Sequence, residues 1–404
     1  MSTRVLQVDL TARISDQIGL GGYERARVLL RYGPRVIGEV RVPIEDGLLL
    51  AADIHSAANS SHEVRDRVSH MILEHQLSRG ESRSRSPSWT VVVCTRDRPE
   101  MLESCLQSLV AANDGSGEII VVDNAPSTEA TAQLVARYPV RYAREELPGL
   151  NRARMLGARL AAGDVVIYTD DDVVVDHNWI PALLEQFDGP RVGAVTGLTM
   201  PLELETEAQE LFERYGGFTK GFRRFVCDWR SMSPPNAGAI GAGANMAFRR
   251  DLVLSMGLFE PELDMGTVAR TGGDTYGLYR VLAEGYRIVY TPDALVWHRH
   301  RRDREALRRV LSGYGTGLYT FFTRCLIEHR DLPALRAGLA WFWRHHLREL
   351  ARTLMRRPNH LPIDLVIAEI KGTLVAPFAY IRSRRAERSR VSVDDVATER
   401  EAAA

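Results

Sequence analysis

The chain has 404 residues, 45% hydrophobic and 26% charged, and its 52 basic residues balance 52 acidic ones to a formal net charge of zero. That is the make-up of an ordinary soluble globular protein with room for two or three domains. It does not advertise a nucleic-acid partner, and none is expected. Cys94, Cys105, Cys227 and Cys325 lie far apart without a C-x-x-C spacing. This argues against a disulfide framework or a structural zinc site and fits a reducing cytoplasm. The opening MSTRVLQVDLTARIS lacks the apolar stretch of a secretory signal. The longest apolar-leaning segment, 361–381, is interrupted by Asp364, Glu369 and Lys371, short of the roughly 18 uninterrupted residues a spanning helix needs.

In chain order, residues 1–78 read as a small α+β module of unassigned role. "ARVLLRYGPRVIGEVRVPI" suggests strands around a Gly-Pro turn, and "SSHEVRDRVSHMILEHQL" an amphipathic helix. Residues 79–88, rich in Ser and Arg, read as a linker. From Trp89 the texture changes. "WTVVVCT", "EIIVVDN", "VRYARE" and "DVVIYTD" predict strands, separated by helical segments after Arg98, across 127–137 and in "NRARMLGARLAAG". This alternation predicts an α/β domain over 89–300 with a mainly parallel sheet, whose ligands bind beyond the carboxyl ends of the strands. Thr95-Arg96, Asp123 and Asp170-Asp171-Asp172 all fall at such ends. Residues 301–390 predict a basic helical region, and 391–404 a flexible tail. Between Trp297 and Arg390 about twenty basic residues face eight acidic ones, with Trp341, Phe342 and Trp343 among them. This suits either packing on the α/β core or contact with an anionic membrane.

Three adjacent carboxylates repel one another unless something neutralises them. Asp170 and Asp172 form a D-x-D pair able to face one divalent ion, Mn²⁺ or Mg²⁺. A solvated acidic loop or a helix cap would use the same residues.

The ordered set "VVVCTRDRP", "IIVVDNAPS", "PGLNRARMLGARLAAGDVVIYTDDDV", "GAGANMAFRRD" and "GGDTYGLYRVLAEGYRIVYTPDALVWHRHR" resembles family 2 glycosyltransferases of the GT-A fold. The resemblance covers about half the chain. It implies a metal-dependent, inverting transfer from a nucleotide-diphosphate sugar, most often a UDP-sugar, to a hydroxyl acceptor such as a glycan or lipid-linked glycan. A setting in cell-envelope or polysaccharide biosynthesis at the inner face of the cell membrane would follow.

Carried over residue by residue, the resemblance assigns Thr95, Arg96, Asp123, Arg152, Arg154 and Asp170 to the nucleotide. Asp170, Asp172 and His298 would hold the metal. Asp274 would be the general base and Asn245 an acceptor contact. The family pattern has Glu-Asp where this chain has Gly273-Asp274, which removes one acceptor-side contact. "LDMGTVARTGG" suggests a mobile loop beside the donor. A catalytically silent subunit of a glycan-assembly complex is the competing reading. A sugar-1-phosphate nucleotidyltransferase lacks its Gly-rich first loop here, and a phosphoacceptor receiver domain is too short.

Overall fold

The computed structural model describes residues 2–77, 86–263 and 265–402. The N-terminal module holds β1 (Thr3–Asp9), β2 (Arg25–Tyr32) and β3 (Arg35–Pro43), backed by α1 (Ala51–Ser60) and α2 (His62–Leu77). β1 runs parallel and β3 antiparallel to β2. The expected linker lies mostly outside the described residues.

The central domain runs β4 (Trp89–Thr95), α3 (Pro99–Ala112), β5 (Glu118–Asn124), α4 (Ala130–Val135), β6 (Arg141–Glu145), α5 (Leu150–Leu160), β7 (Val165–Asp170) and β8 (Val173–Val175). It continues with α6 (Trp179–Leu184), β9 (Val192–Pro201), α7 (Glu207–Tyr215), β10 (Phe225–Cys227), β11 (Met246–Arg249), α8 (Arg250–Met256), α9 (Gly273–Ala283) and β12 (Arg287–His298). The sheet order is β10-β12-β9-β11-β7-β4-β5-β6, with β8 pairing β12. Strands β7, β4, β5 and β6 are mutually parallel, and β11 is the antiparallel insert between β7 and β9.

Both faces of the sheet are covered, so β4 and β9 are buried along their whole length rather than at alternate residues. The pleat still divides them. Val91 and Val93 meet Leu102, Leu106 and Leu109 of α3, whereas Val92 joins Ile120, Val122 and Ala153 of α5 on the other face. The α3 positions recur at helical spacing behind Pro99 in the first turn. Each of these buried leucines stabilises the layer by about 2 kcal/mol.

The module is docked on the sheet. Leu29 and Val36 share an apolar cluster with Leu198, Met200 and Leu295. Buried arginines reach across as well: Arg31 pairs with Asp176, and Arg27 with Glu213.

The C-terminal region is α10 (Arg304–His329), α11 (Leu332–Trp341), α12 (Arg348–Leu354) and α13 (Ile363–Ala402). α13 runs through residues 391–402, so the tail expected there continues as helix. α10 and α13 pack closely where a Cβ at Gly315 would overlap the Glu369 carbonyl. Among the described residues no helix is long and apolar enough to cross a membrane. All four cysteines are free and buried.

Candidate active site

Because β4, β5 and β7 are parallel neighbours, their carboxyl ends open on one rim. Thr95 lies opposite Asp123, and Cys94 opposite Asp170. The starts of α5 and α9, the end of β12 and one side of α10 complete a cavity of about 800 Å³. Asn124 fixes the near wall. Its amide donates to the Leu147 carbonyl at 2.8 Å, and its Oδ1 accepts from the Gly149 N–H at 2.7 Å. That pair of bonds sets the start of α5, which carries Arg154 into the cavity.

The three consecutive aspartates have separate roles. Asp171 is buried, accepts from the Thr95 hydroxyl at 2.7 Å and pairs with Arg98 at 2.6 Å. It holds the loop together. Asp170 reaches into the cavity with the Arg154 guanidinium 3.8 Å away. Asp172 meets Arg98 at 3.1 Å, Arg301 at 3.3 Å and His298 Nε2 at 3.3 Å.

Burial, with the charge of Asp172 behind it, pushes Asp170 above the usual carboxylate range. Burial would raise Asp172 too, but the charges of the Arg98 and Arg301 guanidinium groups outweigh it and hold that carboxyl low. Burial also drives His298 down to about 4 against the pull of Asp172. At neutral pH the imidazole is therefore uncharged, and the two arginines supply the attraction.

His298 is oriented from behind. Its Nδ1 lies 3.1 Å from His300 Nδ1, and His300 Nε2 lies 2.8 Å from Glu213 Oε1. With Glu213 accepting from His300 Nε2–H, His300 Nδ1 is left as the acceptor for His298 Nδ1–H. The lone pair of His298 Nε2 then faces Asp172, as a metal ligand requires. Glu213 is itself held by Arg27 of the N-terminal module. Asp170, Asp172 and His298 each offer one ligand atom within 4.8 Å of the others, and Asp172 Oδ1 has no hydrogen-bond partner.

On the facing wall Asp274 sits in the first turn of α9, two residues past the N-cap Gly272. Its Oδ2 accepts from the Gly243 N–H at 3.0 Å and its Oδ1 from the Thr275 N–H at 2.8 Å. A Cβ on Gly243 would lie 2.7 Å from Arg154 Nη2 and 3.2 Å from Asp274 Oδ2, so that glycine lets the two groups approach across it. Gly273 has a local reason as well. A Cβ there would overlap the Asn151 amide, which is bonded to the Glu260 and Leu263 carbonyls. The segment 265–272 forms one wall of the cavity.

Thr95, Arg96, Arg154, Asp170, Asp172, Asp274 and His298 all line this cavity. Asp123 lies just behind it, fully buried, with one oxygen accepting from Tyr142 at 3.0 Å and Oδ1 without a partner. Two assignments need correcting. Arg152 pairs with Glu387 of α13 and does not line the cavity, because the helical period turns it away from Arg154. Asn245 is fully buried and away from the cavity. Its side chain accepts from Trp179 at 2.9 Å and donates to the Leu198 and Ala294 carbonyls at 2.9 and 2.8 Å. The sequence reading did not find Arg98, Arg301, His300 or Glu213. Only the alternation of His298 and His300 at the end of a strand hinted at any of them.

Residues 90–254 match the family model described as glycosyl transferase family 2. Over these residues the chain is similar to the family 2 glycosyltransferases. The glucosyl-dolichyl phosphate glucuronosyltransferase of Haloferax volcanii is 25% identical over 226 residues, covering 52% of this chain and 68% of that protein. An N-acetylglucosaminyltransferase of Rhizobium meliloti is 26% identical over 218 residues, covering 51% of this chain and 49% of its own length. Among solved structures, a mannosyltransferase from Pyrobaculum calidifontis in complex with GDP-Man and Mn²⁺ aligns with a TM-score of 0.49. It is 17% identical, over 80% of this chain and 97% of that one. The family match takes in β4 to β11 and ends within α8, so Asp274 on α9 and His298 on β12 lie beyond it.

Proposed function

We propose that this chain is a family 2 glycosyltransferase that moves a sugar from a nucleotide-diphosphate sugar, a UDP-sugar in the first instance, to a hydroxyl acceptor with inversion at the anomeric carbon. The observation that carries this reading is the arrangement of one cavity. A ligand triad of Asp170, Asp172 and His298 stands on one wall and Asp274 on the other, with Arg154 between them.

Two carboxylates and a neutral imidazole fit a divalent ion, Mn²⁺ or Mg²⁺, with the imidazole favouring Mn²⁺. Such an ion, when bound, neutralises the diphosphate leaving group. Asp123 Oδ1 is a buried acceptor available to a donor on the base or ribose. Thr95 and Arg96 stand with Asp123 on the base and ribose side, and Arg154 offers a guanidinium donor to phosphate oxygens. Asp274 takes the proton from the acceptor hydroxyl as that oxygen attacks opposite the departing nucleotide. A single base is sufficient, because the leaving group departs as a stabilised anion.

A lipid-linked acceptor at the inner face of the cell membrane, in cell-envelope or polysaccharide biosynthesis, is consistent with the C-terminal helices. Leu332, Leu335, Leu339 and Trp343 are exposed at helical spacing, as are Leu374 and Phe378 on α13 near Lys371 and Arg382.

The test is calorimetric titration of the full chain with UDP, GDP and dTDP, with and without Mn²⁺, beside Asp172→Asn. Metal-dependent binding of one nucleotide, lost in the variant, is expected. Failure to bind any nucleotide under either condition would overturn the reading in favour of a catalytically silent subunit.

A further inference from the structure

A second group of ligand-bearing side chains lies well outside the donor cavity, among the C-terminal helices. His345 and His346 occupy one turn of wider π-helix, Phe342–Leu347, between α11 and α12. Glu369 reaches them from α13. The three residues each present one ligand atom within 4.8 Å of the others. His345 Nε2 is 3.3 Å and His346 Nδ1 3.6 Å from Glu369 Oε1, yet neither nitrogen has a hydrogen-bond partner. His346 is only 1% exposed, so its unpartnered nitrogen has no water to turn to. Leaving such a group unsatisfied costs about 1–3 kcal/mol.

The local geometry prepares the site. Consecutive residues on an α-helix point about 100° apart. The wider π turn narrows that angle, so that both imidazoles face one carboxylate, and single π turns recur at functional sites. Thr373 Oγ1 lies 3.0 Å from His346 Nε2. With Nε2–H donated to Thr373, the lone pair of His346 Nδ1 is aimed at the Glu369 carboxylate. In that tautomer two electron-rich groups face each other, and a cation between them satisfies both. Tyr215 of α7 donates to Glu369 Oε1 at 2.7 Å and fixes the carboxylate. Stacked rings hold the imidazoles, Trp341 against His345 at 4.8 Å and Tyr319 against His346 at 5.8 Å.

We propose that His345, His346 and Glu369 bind a divalent transition-metal ion of the Zn²⁺ class, separate from the ion of the donor cavity. Two imidazoles and one carboxylate suit Zn²⁺ rather than Mg²⁺, and three protein ligands leave a fourth position for water. The half-buried edge of His345 is the entry path. The ion joins the π turn to α13 and, through Tyr215, to the helix that carries Glu213 beneath His300.

The test uses the full chain carrying Asp172→Asn, which disables the donor-cavity site, titrated with Co²⁺ as a spectroscopic substitute for Zn²⁺. Expected are an intense visible d–d absorption, its loss on adding Zn²⁺, and a rise in melting temperature with Zn²⁺. All three should disappear when His345→Ala or Glu369→Gln is added. His345 is partly exposed, so its replacement keeps the test valid should the Glu369 variant fail to fold. Folded protein with no Co²⁺ spectrum, or an unchanged spectrum in the His345→Ala variant, would overturn the proposal.

Discussion

Replacing Glu213 by Gln removes the charge at the junction between the N-terminal module and the donor cavity. Burial would raise this carboxyl, but its bond from His300 and the charge of Arg27 bring it from an ordinary 4.5 to about 2. At about 1.4 kcal/mol per tenfold change in proton affinity, that fall corresponds to about 3 kcal/mol of stability at neutral pH. Breaking one partner of a buried pair independently costs about 3–5 kcal/mol, and Arg27 softens the loss by keeping Glu39 at 2.6 Å. Both routes give about 3 kcal/mol.

The pH dependence follows from the sign. A depressed carboxyl contributes fully above about pH 4.5 and loses its contribution as the pH falls towards 2. The gap between wild type and Glu213→Gln should therefore be constant from neutrality to about pH 5 and shrink below it. The substitution also disturbs the partner that fixes His300, and with it the orientation of His298. Mn²⁺ affinity should fall by about 10- to 100-fold, the usual effect of losing such a support. Urea unfolding across pH and Mn²⁺ calorimetry read the two effects separately. Unchanged stability together with unchanged Mn²⁺ affinity would refute both the relay and its anchoring by Arg27.

Three further outcomes are expected. Asp274→Asn should lower sugar transfer by about 10²- to 10⁴-fold while nucleotide binding stays intact, as read by single-turnover transfer beside calorimetry; loss of nucleotide binding as well would move Asp274 to a donor role. Asn245→Ala strands the Trp179 indole and two carbonyls and should cost about 3 kcal/mol or more in chemical denaturation. Nucleotide affinity of the folded fraction should be unaltered. Vesicles containing anionic lipid should co-sediment the chain, and Phe378→Glu should weaken that binding; a chain that never sediments with them removes the membrane contact.

The alternation of strand and helix from Trp89 to Asp170 was legible in the sequence because it depends on local periodicity. β4, β5 and β7 lie where apolar β-branched runs end in polar clusters, and parallel pairing then carries those clusters to one rim. The Asp170-Asp172 pair stands out in the sequence because it follows a strand, whereas His298 and Asp274 are named by the resemblance to a family; all four line one cavity. Resemblance to a family could name Asn245 and Arg152, but their contacts depend on neighbours that no local pattern specifies.

Distance along the chain separates what could be read from what could not. Arg98 meets Asp172 across 74 positions, His300 meets Glu213 across 87, and Arg27 meets Glu213 across 186. Single charged residues carry no periodic signature, so the first two pairings are decided when the central domain folds and the third when the module docks on the sheet. In sequence His345, His346 and Glu369 fall within the basic helical region read over residues 301–390. The π turn and the close packing of α10 on α13 turn them into one site.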